Sequence, residues 1–271
     1  MAELYFMGNS SESQMFGCII CSGDKTVVID GGTEADGVQL ANMLKDKADG
    51  FVDAWFFTHP HHDHIGAFLH VCENNPEIQI DQIYHKFPDI DDLIEYGTRS
   101  QNEIDLWKRL FARLNEEMSD RVNVLKKGDI FSFDEMKVNI LRVYNSDITS
   151  NFINNSSTVY RIDSKDKRVL ILGDLGVEGG EEVMKNCSSE SLYADYTQLA
   201  HHGQWGVTEE FYQYIKPRAC LWASPDWLYN NDAGDGFNTG PWETVITRGW
   251  MEKLGVKEHY VQKDGTVKIV F

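Results

Sequence analysis

Proline is scarce in this chain, six in 271 residues, and no stretch concentrates it. There is also no repeat and no low-complexity tract, so no linker marks a boundary and one domain over residues 1–271 is expected. Cysteine is as sparse and odd in number: Cys18, Cys21, Cys72, Cys187 and Cys220. Cysteines scattered in this way build no disulfide framework. Cys18 and Cys21 form a C-x-x-C, but within an apolar run, 15–21, that reads as a strand. Side chains three apart on a strand point to opposite faces, which disfavours a shared metal or a redox pair. No window approaches a membrane span, and the start, Met-Ala-Glu-Leu-Tyr-Phe, lacks the basic and long apolar regions of a signal peptide. A cytoplasmic protein without a membrane partner is the expectation.

Positive charge is also in short supply. Lys and Arg number 25 against 43 Asp and Glu, a formal net charge of −18. Such a surface repels phosphate backbones, and no local basic run offsets it, so nucleic acid is not an expected partner. The acidic residues are dispersed, which reads as a solvated surface. Nothing in the pattern speaks to oligomeric state.

The remainder is an ordinary globular composition, 42% hydrophobic and 25% charged. Apolar runs at 5–7, 16–21, 26–29 and 54–57 read as strands, the first three bounded by turn residues such as Gly23-Asp24 and Gly31-Gly32. Residues 33–47 read as a helix opened by a capping box of Thr33 and Asp36. The longest helical pattern, 91–118, is broken at Gly97. Strands at 137–143, 158–162, 168–172, 197–200 and 219–222 follow. They are interleaved with helices at 178–185, 208–215 and 242–254, and two short strands close the chain. Helices and strands mixed throughout imply an α/β chain whose helices cover sheet faces.

The densest chemistry is His59-Pro60-His61-His62-Asp63-His64, directly after the buried strand 54–57. Neutral imidazole and carboxylate suit zinc and related divalent ions, manganese and iron among them. In extended chain His59 and His61 point the same way and can share one ion. Asp63 and His64, at the bend into a helix, are placed for a second. His62 reads as exposed.

This run matches the H-x-H-x-D-H signature of the metallo-β-lactamase superfamily, flanked by Thr58 and Gly66. Val28-Ile29-Asp30-Gly31-Gly32 resembles that family's first motif, Gly173-Asp174-Leu175 the motif whose Asp bridges both metals, and Ala200-His201-His202-Gly203 the last metal motif. A narrower likeness is to the metallo-β-lactamase domain of DNA-internalisation competence proteins. It is carried by Asn154-Asn155-Ser156-Ser157-Thr158-Val159-Tyr160-Arg161 and by the tail around Asp264-Gly265-Thr266. The resemblance implies a single-domain, four-layer αββα sandwich. It also implies two zinc ions per chain held by His59, His61, Asp63, His64, Asp174 and one of His201 and His202, the other hydrogen-bonding substrate. Asp30 would orient a ligand histidine, and Asp30 and His201 are the candidate catalytic groups. Many members place a further histidine before the bridging Asp. Here that interval holds only His70 and His85, so the ion at His59 and His61 is expected to be the weaker. Asn155 or Ser156 in its place is either a turn residue or a contact to metal, substrate or water. The Thr239-Gly240-Pro241 sequence lacks the His-Pro that competence-type domains often carry, and His259, in a late strand, reads as structural.

The implied activity is hydrolysis of a phosphodiester or phosphoester. Lactone or thioester hydrolysis on the same metals, or a non-hydrolytic metal-binding or redox module, are the alternatives. The Trp222 to Trp242 segment, rich in Gly, Asn and Asp, has two readings: Trp222, Trp227 and Trp242 pack in the core, or aromatic faces such as Trp227 and Tyr229 hold a cationic group.

Overall fold

The computed structural model describes residues 1–97, 100–165 and 167–271. Two seven-stranded sheets pack face to face. In the first, β1 (Ala2–Phe6), β2 (Gly17–Ser22) and β3 (Lys25–Asp30) pair antiparallel. β4 (Phe51–Phe56), β5 (Gln79–His85) and β6 (Val122–Val124) extend the sheet in parallel from β3. The second begins with antiparallel β7 (Ile130–Phe133), β8 (Met136–Arg142), β9 (Val159–Ser164) and β10 (Lys167–Ile171). It continues in parallel through β11 (Tyr196–Gln198), β12 (Ala219–Trp222) and β13 (Glu258–Val261). β14 (Val267–Val270) returns to pair with β1 in the first sheet.

Helices cover both outer faces. α1 (Gly37–Ala48), α2 (His62–Asn74) and α3 (Gln101–Ala112) lie on the first sheet, and α4 (Phe152–Asn155) packs Phe152 and Ile153 on that side; α5 (Val177–Asn186), α6 (Glu209–Ile215) and α7 (Thr244–Lys253) belong to the second half. The apolar residues sort accordingly into three clusters. One lies between the sheets, around Phe6, Phe16, Phe56, Tyr160 and Leu221. One joins the first sheet to its helices through Trp55, Phe68 and Trp107, and one joins the second sheet to its helices through Leu170, Phe211 and Trp222. Period-two alternation produces this division: Cys18 enters the inter-sheet core while Cys21 packs on the helical side. The four-layer α/β sandwich inferred from the motifs is the architecture observed.

Some boundaries shift. The expected helix at 33 opens as a 3-10 turn, Glu34–Asp36, in which the Asp36 carboxylate accepts from both the backbone and hydroxyl of Thr33. The helix after the histidine run starts at His62, so Asp63 and His64 lie in its first turn. In the pattern at 91–118, helical residues are described up to Gly97 and again from Gln101; the expected break after Gly97 falls on residues 98 and 99, which lie outside the described residues. Among the described residues no helix is long and apolar enough to cross a membrane.

Candidate metal centre

The parallel strands of both sheets end at one place, the usual position for a site in such sheets. β4 runs into Thr58 and His59, both buried. The indole of Trp107 donates to the Pro60 carbonyl at 2.8 Å, fixing the loop. His61 stays extended (φ −74°, ψ 152°) before α2 begins. From the second sheet, Gly173, left-handed at φ 58°, turns the chain after β10 to present Asp174. His201 and His202 follow β11, both left-handed at φ 49° and 57°. Consecutive non-glycine residues there cost on the order of 1–3 kcal/mol each, a strain typical of functional sites.

These residues form two donor sets sharing one carboxylate. Asp63, His64, Asp174 and His202 offer donor atoms within 4.8 Å of one another; His59, His61 and Asp174 do the same. The His64 Nε2 lies 3.2 Å from Asp174 Oδ1, and the His202 Nε2 lies 3.3 Å from Asp174 Oδ2 and 3.1 Å from Asp63 Oδ2. His59 Nε2 stands 3.0 Å from His61 Nδ1 and 3.7 Å from Asp174 Oδ2. Yet among the described residues His64 Nε2, His202 Nε2 and both Asp174 oxygens are buried with no hydrogen bond satisfying them. Four orphaned polar atoms converging on one point would be costly if nothing joined them. Imidazole nitrogens and carboxylate oxygens fit a divalent ion of the zinc class.

The far sides of the His64, His202 and His59 rings are fixed. His64 Nδ1 meets Asp30 Oδ2 at 2.7 Å and His202 Nδ1 donates to the Ala223 carbonyl at 2.8 Å. Thr58 donates its hydroxyl to Asp30 at 2.5 Å, which leaves its oxygen to accept from His59 Nδ1 at 3.0 Å. Protons held at Nδ1 leave the Nε2 lone pairs facing the centre, the tautomer ligation needs.

Charge follows the same geometry. Burial drives His59 far below the ordinary imidazole range and takes His61 down to about 4, so both are neutral. Burial presses on His64 and His202 too, but the carboxylates of Asp174, Asp30 and Asp63 outweigh it, raising His64 strongly and His202 to about 9. Burial would raise Asp63 and Asp174, yet His202 and His64 hold both well below the usual carboxylate range. In the metal-free chain those protons stand where a cation would, and a bound ion would displace them and expose the Nε2 lone pairs.

Of the adjacent pair, His202 enters the donor set and His201 does not. His201 Nε2 is 4.0 Å from Asp174 Oδ2 and 3.5 Å from Asn154 Nδ2, and its Nδ1 faces the Trp205 carbonyl at 3.4 Å. The His62 side chain is 58% exposed, as expected for the variable position. Neither Asn155 nor Ser156 points at the donors. Asn155 Oδ1 accepts from the backbone of Gly176 and Gly179, and the Ser156 hydroxyl bonds the Ile153 carbonyl. Asn154 instead lies beside His201, its Nδ2 3.5 Å from the His201 Nε2, and its buried Oδ1 is unpartnered among the described residues. Gln14 also escaped notice: its amide donates to Asp63 at 3.1 Å and accepts from Gln204 at 2.8 Å. It lies in a polar loop with no motif around it, and only its place in the fold reveals it.

The aromatic loop does not hold a free cation face at Tyr229. The Arg248 guanidinium already covers that ring, 4.4 Å from its centroid, because the helix α7 brings it there. Trp222 is core, its indole donating to His259 Nδ1 at 3.1 Å, whereas Trp227 and Trp242, also expected in the core, are only partly buried and lean on each other at 4.6 Å.

Residues 18–86, which include the histidine run, match the family model of the metallo-β-lactamase superfamily. The chain as a whole has the metallo-β-lactamase fold. It is 29% identical over 183 residues to ComE operon protein 3 of Bacillus subtilis (strain 168), covering 67% of this chain and 21% of that protein. The chain thus spans about one fifth of the length of the curated relative it matches. Two solved structures share the metallo-β-lactamase fold along the whole chain. The fold protein YhfI from Bacillus subtilis superposes with TM-score 0.58 at 12% identity, covering 99% of each chain. A diphosphatase of the PhnP family superposes with TM-score 0.53 at 12% identity, covering 100% of this chain and 98% of the other.

Proposed function

We propose that this metallo-β-lactamase domain is a hydrolase that holds two divalent ions, zinc foremost, and cleaves a phosphodiester or phosphoester. The observation that carries the reading is the convergence of unpartnered, buried donors on both oxygens of Asp174. Asp63, His64 and His202 would hold one ion and His59 and His61 the other, with Asp174 shared. When bound, such ions make hydroxide available at neutral pH and stabilise the negative charge of the transition state.

The chain's own groups then have distinct tasks. Asp30 fixes the His64 ring, and through Thr58 the His59 ring as well. His201, outside both donor sets, presents its Nε2 to substrate beside the Asn154 amide. Three donors against four make the His59 and His61 ion the weaker. The phosphoester class is favoured by the likeness of the 154–161 segment to competence-type domains, and a diphosphatase of the PhnP family shares this fold.

Metal analysis of the purified chain, with turnover of bis-p-nitrophenyl phosphate, an acyl-lactone and a thioester, tests the reading. Two zinc ions per chain and phosphodiester cleavage that Asp174→Ala abolishes are expected. A chain that takes up no metal overturns it; lactone or thioester turnover alone moves the substrate class, and iron without hydrolysis moves the reaction class.

A further inference from the structure

The Asn-Asn-Ser-Ser segment stands where a metal-binding histidine would be expected, yet Asn155 and Ser157 turn their side chains to the turn that carries Asp174. Asp174 donates its backbone N–H to the Ser157 hydroxyl at 3.0 Å. Gly176 and Gly179 donate theirs to Asn155 Oδ1 at 3.0 and 3.1 Å, while Asn155 Nδ2 bonds Glu178 and the Ser150 carbonyl. Contact is close enough to exclude side chains. A Cβ on Gly173 would lie 2.8 Å from the Ser157 hydroxyl and 2.9 Å from Thr58 Cβ, and one on Gly179 would lie 2.7 Å from Asn155 Oδ1.

Ser157 is itself anchored. Arg142, buried at the end of β8, donates to the Ser157 carbonyl at 2.6 Å and pairs with Glu182 of α5 at 2.8 Å. One guanidinium therefore ties the segment before the turn to the helix after it. On the opposite side Gln198 accepts from Leu172 N and donates to the Gly173 carbonyl, which also accepts from His201 N. The turn is bonded on both flanks while the carboxylate at its tip faces only the histidine donors.

From this we infer that Asn155 and Ser157, braced by Arg142, are positioning residues for the shared carboxylate. The segment does not replace the absent histidine as a ligand; it sets where Asp174 stands between the two donor sets. The inference rests on the two-ion reading above. Because Asp174 belongs to both sets, loosening its turn must weaken both ions together, whereas a defect at one ligand would weaken one. Supporting groups of this kind typically change metal affinity 10–100-fold.

The test is titration of the metal-stripped full chain with zinc against a chromophoric chelator, with melting of the zinc-free chain recorded in parallel. Wild type, Ser157→Ala, Asn155→Ala and Ser157→Thr are compared. Ser157→Ala and Asn155→Ala are each expected to lose roughly tenfold or more in both binding steps. Ser157→Thr, which keeps the hydroxyl, recovers most of the loss. A merely structural role would lower the melting point and leave the affinities of the folded fraction unchanged, and that result overturns the inference. So does a loss confined to one ion. Should one alanine variant fail to fold, the other carries the comparison. A wild-type chain that binds no zinc overturns the two-ion reading and the inference with it; a wild type that binds two, beside variants that bind equally well, overturns the inference alone.

Discussion

Asp30 is a left-handed residue, φ 54°, buried, and bonded to Thr58 twice and to His64 once. Asparagine occupies that backbone region as readily as aspartate and has nearly the same shape. Asp30→Asn therefore removes charge with little change of fold. Zinc affinity at the Asp63, His64 and His202 set is expected to fall about 10–100-fold, read by chelator competition, with far-UV circular dichroism unchanged. His85 offers a test away from the donors. It is buried at the end of β5, accepts the Phe87 N–H at Nδ1 (3.2 Å), and burial with Lys86 beside it takes its pKa down to about 4. The unfolded chain, at the ordinary value near 6.5, takes up this proton first. The contribution is therefore complete above that value and lost as pH falls toward 4. Urea unfolding of wild type and His85→Gln at pH 7 and pH 5 should show the wild type's advantage shrinking by about 2 kcal/mol.

At the scale of elements, the site depends on how closely α2 approaches the first sheet's loops. Gly66 lies in its second turn, and a Cβ there would sit 2.4 Å from Glu34 N and 2.8 Å from Thr33 C. Backbone cannot yield as a side chain can, so Gly66→Ala is expected to destabilise by about 1–3 kcal/mol and to displace Asp63 and His64. Thermal melting and zinc titration of the variant check both parts. Such approaches explain what the sequence alone could show. β2, β3, β4, β10 and β12 each carry an apolar run of three or more residues and were legible, as were the motifs at their ends. β5 and β6 were not, because Asp81 and Gln82 interrupt one and the other has three residues. The divided roles of Asn154, Asn155, Ser156 and Ser157 depend on which way each leaves a four-residue helix, a matter of tertiary context. His201 and His202 could be separated only by the left-handed knuckle that turns one ring inward and the other away.

Across the whole molecule, the donors come from both halves. His59, His61, Asp63 and His64 follow β4 of the first sheet, and Asp174 and His202 follow β10 and β11 of the second. An ion shared among them binds only the assembled sandwich. Stripping the metal with a chelator is therefore expected to lower the melting temperature. At free zinc about a thousandfold above the dissociation constant, the stabilisation withdrawn is about 4 kcal/mol.

The same junction holds the Thr158 N–H on the Thr58 carbonyl, a single backbone bond (2.9 Å) between the two motif-bearing loops. Its amide is a reporter of whether the halves are riveted. In deuterated buffer the Thr158 amide, with that of Asp174, should exchange slowly in the zinc-loaded chain and quickly after chelation. Amides in the centre of β2 and β3 open only with the whole fold, so chelation should quicken them by no more than the overall stability lost, and they should remain the slower set.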